Sequence, residues 1–563
     1  MTRVPAPHPG AAAPGAGDPV EIYDTTLRDG TQGQGFTLTS ADKVAIAKRL
    51  DAFGIDLIEG GWPGSNPKDA EFFERMADVP LGRARLAAFG STRHRARTVE
   101  SDPNLAALLA ARTPVVTVFG KSWTLHVTEA LGATLDQNLA MIRESVAYLV
   151  AQGREVVYDA EHYYDGAAAD PEYAVATLDA ALEGGASRLV LCDTNGGTLP
   201  ERIADGVRLA RERYEVPIGI HTHNDAELAV ANALAAVQAG ASHVQGTIGG
   251  YGERCGNANL ITVTANLALK LGRPQPQRLA GLRELARYVD ERANLQPNLR
   301  APYVGDAAFA HKGGVHVSAV AKRPETYEHV EPGTVGNERR VLLSDLSGRA
   351  NVVAHHDASA AEAEAGEGAH EVVARMKELE HRGYAFEGAE ASFQLMARKV
   401  RGEHRPFFTL HGYTVVIDKR DRDPQPRAEA SIKVEVGGVL EHTASDGDGP
   451  VNALDRALGK ALTRFYPQLS ELHLVDYKVR VLSGDESGTA SVIRVQVEFA
   501  DRLESWGTVG ASTDLIDASY QALIDAIEYK LVKDRVAPHG SGADPEDATA
   551  AAARTVPSRA APT

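Results

Sequence analysis

The chain has 563 residues, which predicts two or three domains rather than one. Its formal net charge is −17 with no sustained Lys/Arg stripe, which argues against a nucleic-acid partner. Two cysteines, Cys192 and Cys255, cannot build a disulfide framework and point to a reducing cytoplasm, and no apolar run approaches the length of a membrane span.

Residues 1–18 are rich in Ala, Pro and Gly, lack the continuous apolar core of a signal peptide and read as a disordered extension. Short apolar, β-branched runs then alternate with helical patterns. The runs are Val20–Asp29, Ile55–Trp62, Arg85–Ser91, Val115–Gly120, Glu155–Glu161, Arg188–Asp193, Ile218–His223 and His243–Ile248. Ala/Leu periodicity marks helices between them, such as Ser40–Phe53, Leu135–Gln152 and Glu227–Ala239. Eight strand–helix units in this stretch predict an α/β fold, a (β/α)8 TIM barrel over residues 19–300.

Polar residues able to bind ligands gather at the C-terminal ends of these runs: Arg28, Asp29, Glu59, Glu161, Asp193, Thr194, His221 and His223. Barrel enzymes place their chemistry at that end. Side chains repeat their direction every second residue along a strand, so His221 and His223 share a face, roughly 7 Å apart along the backbone. Two imidazoles and a carboxylate form a facial set for one divalent ion with open positions for substrate, and Asp29 is the candidate carboxylate. Arg28 cannot serve as a base at neutral pH; its role is to stabilise a developing oxyanion, or else to pair with Asp29 or Glu161 at a strand end.

Residues 301–401 read as helical linker subdomains with a Gly-rich entry, Phe309-Ala-His-Lys-Gly-Gly-Val-His316, and include Ser347-Gly-Arg349. Residues 405–536 contain an internal repeat. Ala430-Ser-Ile432 with Val434 and Val436 echoes Ala490-Ser-Val492 with Val495 and Val497, and Ala453, Ala457 and Leu458 match Ala518, Ala522 and Leu523. Each half runs from strand through a Gly/Ser/Thr/Asp loop into a helix, giving an α+β regulatory domain that dimerises or holds a small effector. The loops Glu441–Pro450 and Trp506–Thr513 are the places to wrap an amino acid, with helix N-termini favouring its carboxylate. Residues 537–563 read as a disordered tail.

The opening Asp24-Thr-Thr-Leu-Arg-Asp-Gly30, the His221-Thr-His-Asn-Asp225 block and Gly252-Glu-Arg-Cys-Gly-Asn257 resemble the 2-isopropylmalate synthase/homocitrate synthase family. Within it, Glu59-Gly-Gly-Trp-Pro-Gly-Ser-Asn-Pro67, Gly120-Lys-Ser-Trp-Thr-Leu-His-Val-Thr128 and Asp159-Ala-Glu-His162 look most like the branch that uses pyruvate. The resemblance spans about residues 19–535. It implies a Claisen-type condensation of acetyl-CoA with a 2-oxo acid, here pyruvate, giving (R)-citramalate and CoA.

The same resemblance implies Asp29, His221 and His223 as ligands of Zn2+, Mn2+ or Mg2+, with Asn257 on or near the ion. It implies Glu161 as the catalytic glutamate, His126 and Thr194 as contacts to the oxo acid, and His316 as a histidine donated from beyond the barrel, in relatives into the partner subunit's site. Tyr327 is a weaker candidate acid, and Trp62 a candidate pocket filler. It further implies a homodimer and isoleucine as feedback effector. Synthases using another 2-oxo acid, and C–C lyases or aldolases on the same barrel, are the alternatives. Acyl-CoA lyases carry a cysteine directly after the strand-eight Gly-Gly, where this chain has Tyr251 and only a displaced Cys255; no lysine falls in Arg188–Gly197, where carboxyltransferases bind metal.

Overall fold

The computed structural model describes residues 19–275, 277–342, 365–419, 425–482 and 491–539. The stretch 1–18, residues 540–563 of the expected tail 537–563, and Ser347-Gly-Arg349 lie outside the described residues.

The barrel strands are β1 (Glu21–Asp24), β2 (Leu57–Gly61), β3 (Arg85–Ser91), β4 (Val115–Lys121), β5 (Glu155–Glu161), β6 (Arg188–Asp193), β7 (Ile218–Thr222) and β8 (His243–Gly246). They pair in sequence order, all parallel, and β8 closes on β1. Near-continuous apolar strands suit a sheet covered on both faces. Ile22, Ile58, Val116, Val156, Leu189 and Ile220 join the core beneath the surrounding helices. Tyr23, Leu57, Ala87, Val115, Val157, Val190 and Cys192 form a separate buried cluster inside the barrel. Helix starts follow local chemistry: the Asp42 N–H donates to the Thr39 hydroxyl at 3.1 Å, and the Thr39 N–H donates back to the Asp42 carboxylate at 3.1 Å.

The N-terminal end of the barrel is closed by an ion network from strand starts. Arg188 donates to Glu21 at 2.7 and 2.9 Å and also to Glu155; Arg85 donates to Glu155 at 2.5 Å; His243 Nδ1 lies 2.7 Å from Glu21.

Four expected strands, β1, β2, β7 and β8, end early. β1 stops at Asp24, whose carboxylate accepts the Thr26 N–H at 3.0 Å and the Thr26 hydroxyl at 2.9 Å, a local bond that turns the chain. The carbonyl of Thr25 then accepts N–H bonds from Arg28, Asp29 and Gly30, so Asp29 sits on a turn rather than a strand. β7 stops at Thr222, and His223 forms an isolated bridge with Asn257. Cys192 is buried, whereas Cys255 is exposed and fills no space in the core.

The chain divides into two compact units. One runs through the barrel to Ala310 and takes in Glu328–Arg340; the other holds His311–Tyr327 and the described residues from Val341 on. In the second, helices Ala365–His381 and Glu390–Val400 precede two ββ-β-helix repeats. Strands Thr409–Asp418, Arg427–Val436 and Val439–Gly447 form one antiparallel sheet, and helix Pro450–Leu462 follows. Strands His473–Leu482, Val492–Ala500 and Ser505–Ser512 form another, followed by helix Leu515–Lys533. The matched residues Ala453, Ala457, Leu458, Ala518, Ala522 and Leu523 are all buried. The segments expected as loops, Glu441–Pro450 and Trp506–Thr513, are mostly third strands, because sheet pairing overrides their Gly/Ser/Thr/Asp composition.

Candidate active site

The turn after β1 delivers two neighbouring side chains to the C-terminal mouth of the barrel. Arg28 donates from Nε to Glu59 at 2.5 Å, lies 3.3 Å from Asp29 through Nη1, and stacks its guanidinium 3.7 Å from the centre of the Phe89 ring. Among the expected partners, Asp29 is confirmed and Glu161 is replaced by Glu59. Glu59 accepts a second bond from the Tyr23 hydroxyl at 2.6 Å, and Tyr23 in turn lies 2.6 Å from Thr117. This buried chain clamps Arg28 in one orientation, with its charge directed into the cavity. Burial pushes the Asp29 carboxyl up, but the Arg28 guanidinium beside it outweighs burial and holds it below its ordinary value.

Across the mouth, His221 Nε2 and His223 Nε2 approach to 3.2 Å, and Asp29 Oδ2 lies 3.4 Å from the first and 4.0 Å from the second. His221 Nδ1 lies 2.9 Å from Gln245 Oε1, and the Gln245 amide nitrogen donates to Asp159 at 2.9 Å. Gln245 therefore accepts the Nδ1–H and leaves a lone pair on Nε2. Burial pushes the His221 imidazole down to about 3, and lowers His223 as well, so both rings are neutral and ligand-competent at neutral pH.

These atoms fit a divalent ion. Two donors at about 2.1 Å from one ion stand about 3.0–3.4 Å apart in octahedral or tetrahedral geometry. Asp29 Oδ1, His223 Nδ1 and Asn257 Oδ1 are buried with no hydrogen-bond partner among the described residues. The Asp29–His221–His223 cluster is the one that the described residues offer for a metal. Its mixed nitrogen and oxygen donors suit a first-row or alkaline-earth divalent ion.

Trp62, Phe89 and Phe119 wall the cavity. Trp62 meets both phenylalanines edge-on, at 5.9 and 5.5 Å between ring centres, and its indole N–H donates to Asn104 at 2.7 Å. Glu161 and Thr194 line the same cavity. Glu161 is ion-paired with Lys121 of β4, a partner not apparent from spacing alone. The Thr194 hydroxyl accepts the His162 N–H at 2.9 Å, so its own proton is available to donate.

His126 is not among the cavity-lining residues. It sits in an aromatic group with Trp123 at 5.1 Å and His162 at 4.2 Å, and burial lowers its pKa. His316 belongs to the second unit, on helix Gly314–Lys322, where it is exposed and stacks on Tyr327 at 4.0 Å. Sequence reasoning missed Gln245, Phe89, Phe119 and Lys121. Gln245 carried one signal, a polar side chain inside a short buried barrel strand.

Fold and site together define a metal-competent (β/α)8 barrel with an arginine held beside its ligand cluster. The HMGL-like family matches residues 19–289, the homocitrate synthase post-HMGL domain-like family 303–384, and the LeuA allosteric (dimerisation) domain 387–531. An (R)-citramalate synthase of Geobacter sulfurreducens is 53% identical over 91% of this chain and 98% of its own. One of Aquifex aeolicus is 51% identical over 92% and 98%. A probable 2-isopropylmalate synthase of Methanopyrus kandleri is 32% identical over 91% and 98%. The chain belongs to the (R)-citramalate synthase family.

Proposed function

We propose that this protein is a citramalate synthase, an acyltransferase that condenses acetyl-CoA with pyruvate to give (R)-citramalate and CoA. The observation that carries this reading is Arg28, held beside the Asp29–His221–His223 cluster by Glu59. A divalent ion bound by Asp29, His221 and His223, with Asn257 beside it, supplies Lewis-acid polarisation of the keto carbonyl.

The chain's own residues do the rest. Thr194 donates its hydroxyl proton to the pyruvate carboxylate. Glu161 takes a proton from the acetyl methyl group, and the resulting carbon nucleophile bonds to the keto carbon. Arg28 stabilises the negative charge that develops on the keto oxygen, since its fixed guanidinium needs no reorientation as that charge appears. His126 packs on His162, whose N–H holds Thr194, and so acts on the oxo acid through that pair, and His316, donated by a second copy of the chain, serves proton transfer or hydrolysis of the thioester. Water then splits the thioester, so that one acetyl-CoA, one pyruvate and one water yield citramalate and CoA. Trp62, Phe89 and Phe119 limit the side chain of the oxo acid to a methyl group.

In this reading the enzyme works in the cytoplasm as a homodimer, in isoleucine biosynthesis, and isoleucine inhibits it through the C-terminal repeats. Among the described residues no helix is long and apolar enough to cross a membrane.

The test is CoA release from acetyl-CoA with pyruvate, 2-oxoisovalerate or 2-oxoglutarate, each with and without chelator. Chelator-sensitive release that is fastest with pyruvate, with citramalate as product, is the expected result. Preference for another oxo acid would reassign the substrate; no release by metal-loaded protein would sink the reading.

A further inference from the structure

Between Glu59, which clamps Arg28, and Trp62, which walls the cavity, β2 carries an irregularity. Glu59 pairs with Ala87 of β3 and Gly61 with Ala88, so Gly60 is an extra residue without a counterpart on β3. A bulge of this kind re-aims the side chains on either side of it. Close approach requires both glycines. A Cβ on Gly60 would lie 2.2 Å from a carbon of the Phe72 ring, and one on Gly61 would lie 2.4 Å from the Asp69 carboxyl carbon.

A buried ion pair closes on this bulge. Lys43 of helix Ser40–Phe53 is paired with Asp69 in the first turn of helix Pro67–Met76, and both are buried. The Lys43 ammonium also donates to the Gly60 carbonyl at 3.2 Å, and the second Asp69 oxygen accepts the Trp62 backbone N–H at 2.9 Å. β2 ends at Gly61, so that N–H has left the sheet ladder and the carboxylate replaces the strand as its acceptor. At its far end Trp62 donates its indole N–H to Asn104, whose amide nitrogen donates to the Ser91 carbonyl at 2.7 Å. Neither Lys43 nor Asp69 is among the residues that line the cavity. A buried ion pair is weak evidence for stability, since taking two charges out of water offsets much of their attraction. Beyond each other, these two charged groups bond only to the backbone of Gly60 and Trp62 among the described residues.

We propose that Asp69 is a positioning residue for substrate size: it fixes the backbone of Trp62, while Lys43 holds both Asp69 and the bulge carbonyl, so that the indole stands at one depth against Phe89 and Phe119. This rests on the condensation reading, in which that aromatic wall limits the oxo acid to a methyl side chain. Asn104 tethers the indole at a single point, and a ring tethered at one point still swings when its own backbone shifts. The carboxylate beneath the bulge removes that freedom without touching substrate.

The experiment uses the full chain labelled with 5-fluorotryptophan. Its tryptophans are Trp62, Trp123 and Trp506, and Trp62→Phe assigns the first fluorine resonance. Lys43→Met/Asp69→Leu removes both charges together, so that neither is left buried alone. Asp69→Glu keeps the charge beside Lys43 but moves the carboxylate by one methylene, and Asp69→Asn keeps an oxygen for the Trp62 N–H. In the double variant and in Asp69→Glu the Trp62 resonance shifts or broadens while those of Trp123 and Trp506 stay. In the same two proteins the kcat/KM ratio of 2-oxobutanoate over pyruvate rises about 3–10-fold, less than a full methylene commands because the indole is still present. Asp69→Asn returns both readouts towards wild type. If the double variant does not fold, Asp69→Glu decides. An unmoved Trp62 resonance or ratio in Asp69→Glu, equal changes at all three tryptophans, or Asp69→Asn as far from wild type as the double variant would overturn the assignment. If wild type releases no CoA with any oxo acid, the condensation reading fails, whereas the fluorine spectrum still judges whether Asp69 holds Trp62.

Discussion

The amide oxygen of Gln245 lies 2.9 Å from Nδ1 of His221, and through it a residue of β8 sets which nitrogen of a β7 histidine faces the cavity. A leucine of similar size cannot accept that proton. Gln245→Leu therefore lowers metal affinity by about 10–100-fold, the usual loss when the partner of a ligating histidine is removed. Competition with a chromogenic chelator measures it, and an unchanged affinity would show that the His221 tautomer is set elsewhere.

In the proposed mechanism Asp29 and His223 hold the ion. Asp29→Ala and His223→Ala each lower metal-dependent turnover below about 1% of wild type, since both polarisation and substrate orientation go with the ligand set. Both groups sit at the mouth of the barrel, outside the interior cluster of Tyr23, Leu57 and Val190, so circular dichroism and the melting profile stay close to wild type. Full activity with unchanged metal content would remove the cluster from the mechanism.

Trp62 stands between Phe89 and Phe119 with its indole N–H bonded to Asn104. Trp62→Ala opens space where one extra methylene can lie, and a methylene in such a pocket is worth about 1–3 kcal/mol. The ratio of kcat/KM for 2-oxobutanoate over pyruvate rises by about 10–100-fold. A ratio that does not move would place the size filter on other residues.

Acid stability tests the network at the opposite end of the barrel. Burial raises the Glu21 carboxyl, yet His243 and Arg188 outweigh it and bring the group down to about 2. A depressed folded pKa stabilises the native state above the unfolded value, and that stabilisation disappears as pH falls through the folded one. The contribution is thus complete above about pH 5 and is lost between there and about pH 2. Glu21→Gln costs about 1.5–3 kcal/mol at pH 7, the range for hydrogen bonds to a charged group. Denaturant melts from pH 7 to 2.5 check this: the gap between the two proteins narrows on acidification, and a gap independent of pH would refute it.

The barrel was legible because its strands are uninterrupted apolar runs with firm borders; β3, β5 and β6 match the expected limits residue for residue. The run through Thr25-Thr-Leu27 has the composition of a strand, but Asp24 captures the Thr26 N–H and hydroxyl and bends it into a turn. His221 and His223 were legible because their spacing is a local property, and Asp29 because it follows closely on the end of the first strand, though on a turn. The bond from Gln245 to Asp159 joins residues 86 apart, and that from Arg28 to Glu59 joins residues 31 apart. Contacts of that kind depend on which interior positions face each other across a closed sheet, and local periodicity does not encode them. The third strands of the repeats have the composition of loops; their pairing partner, not that composition, makes them strands.

Arg28 and Asp29 ride on a single turn, closed by the carbonyl of Thr25. In the proposed mechanism one of them meets the developing charge and the other holds the ion, so any shift of that turn moves both at once. The two functions cannot be tuned independently by reshaping this piece of backbone. Redesign for another oxo acid should keep the Asp24–Gly30 segment as an indivisible module and take its variation from the aromatic wall opposite, where Trp62, Phe89 and Phe119 stand on three different strand ends.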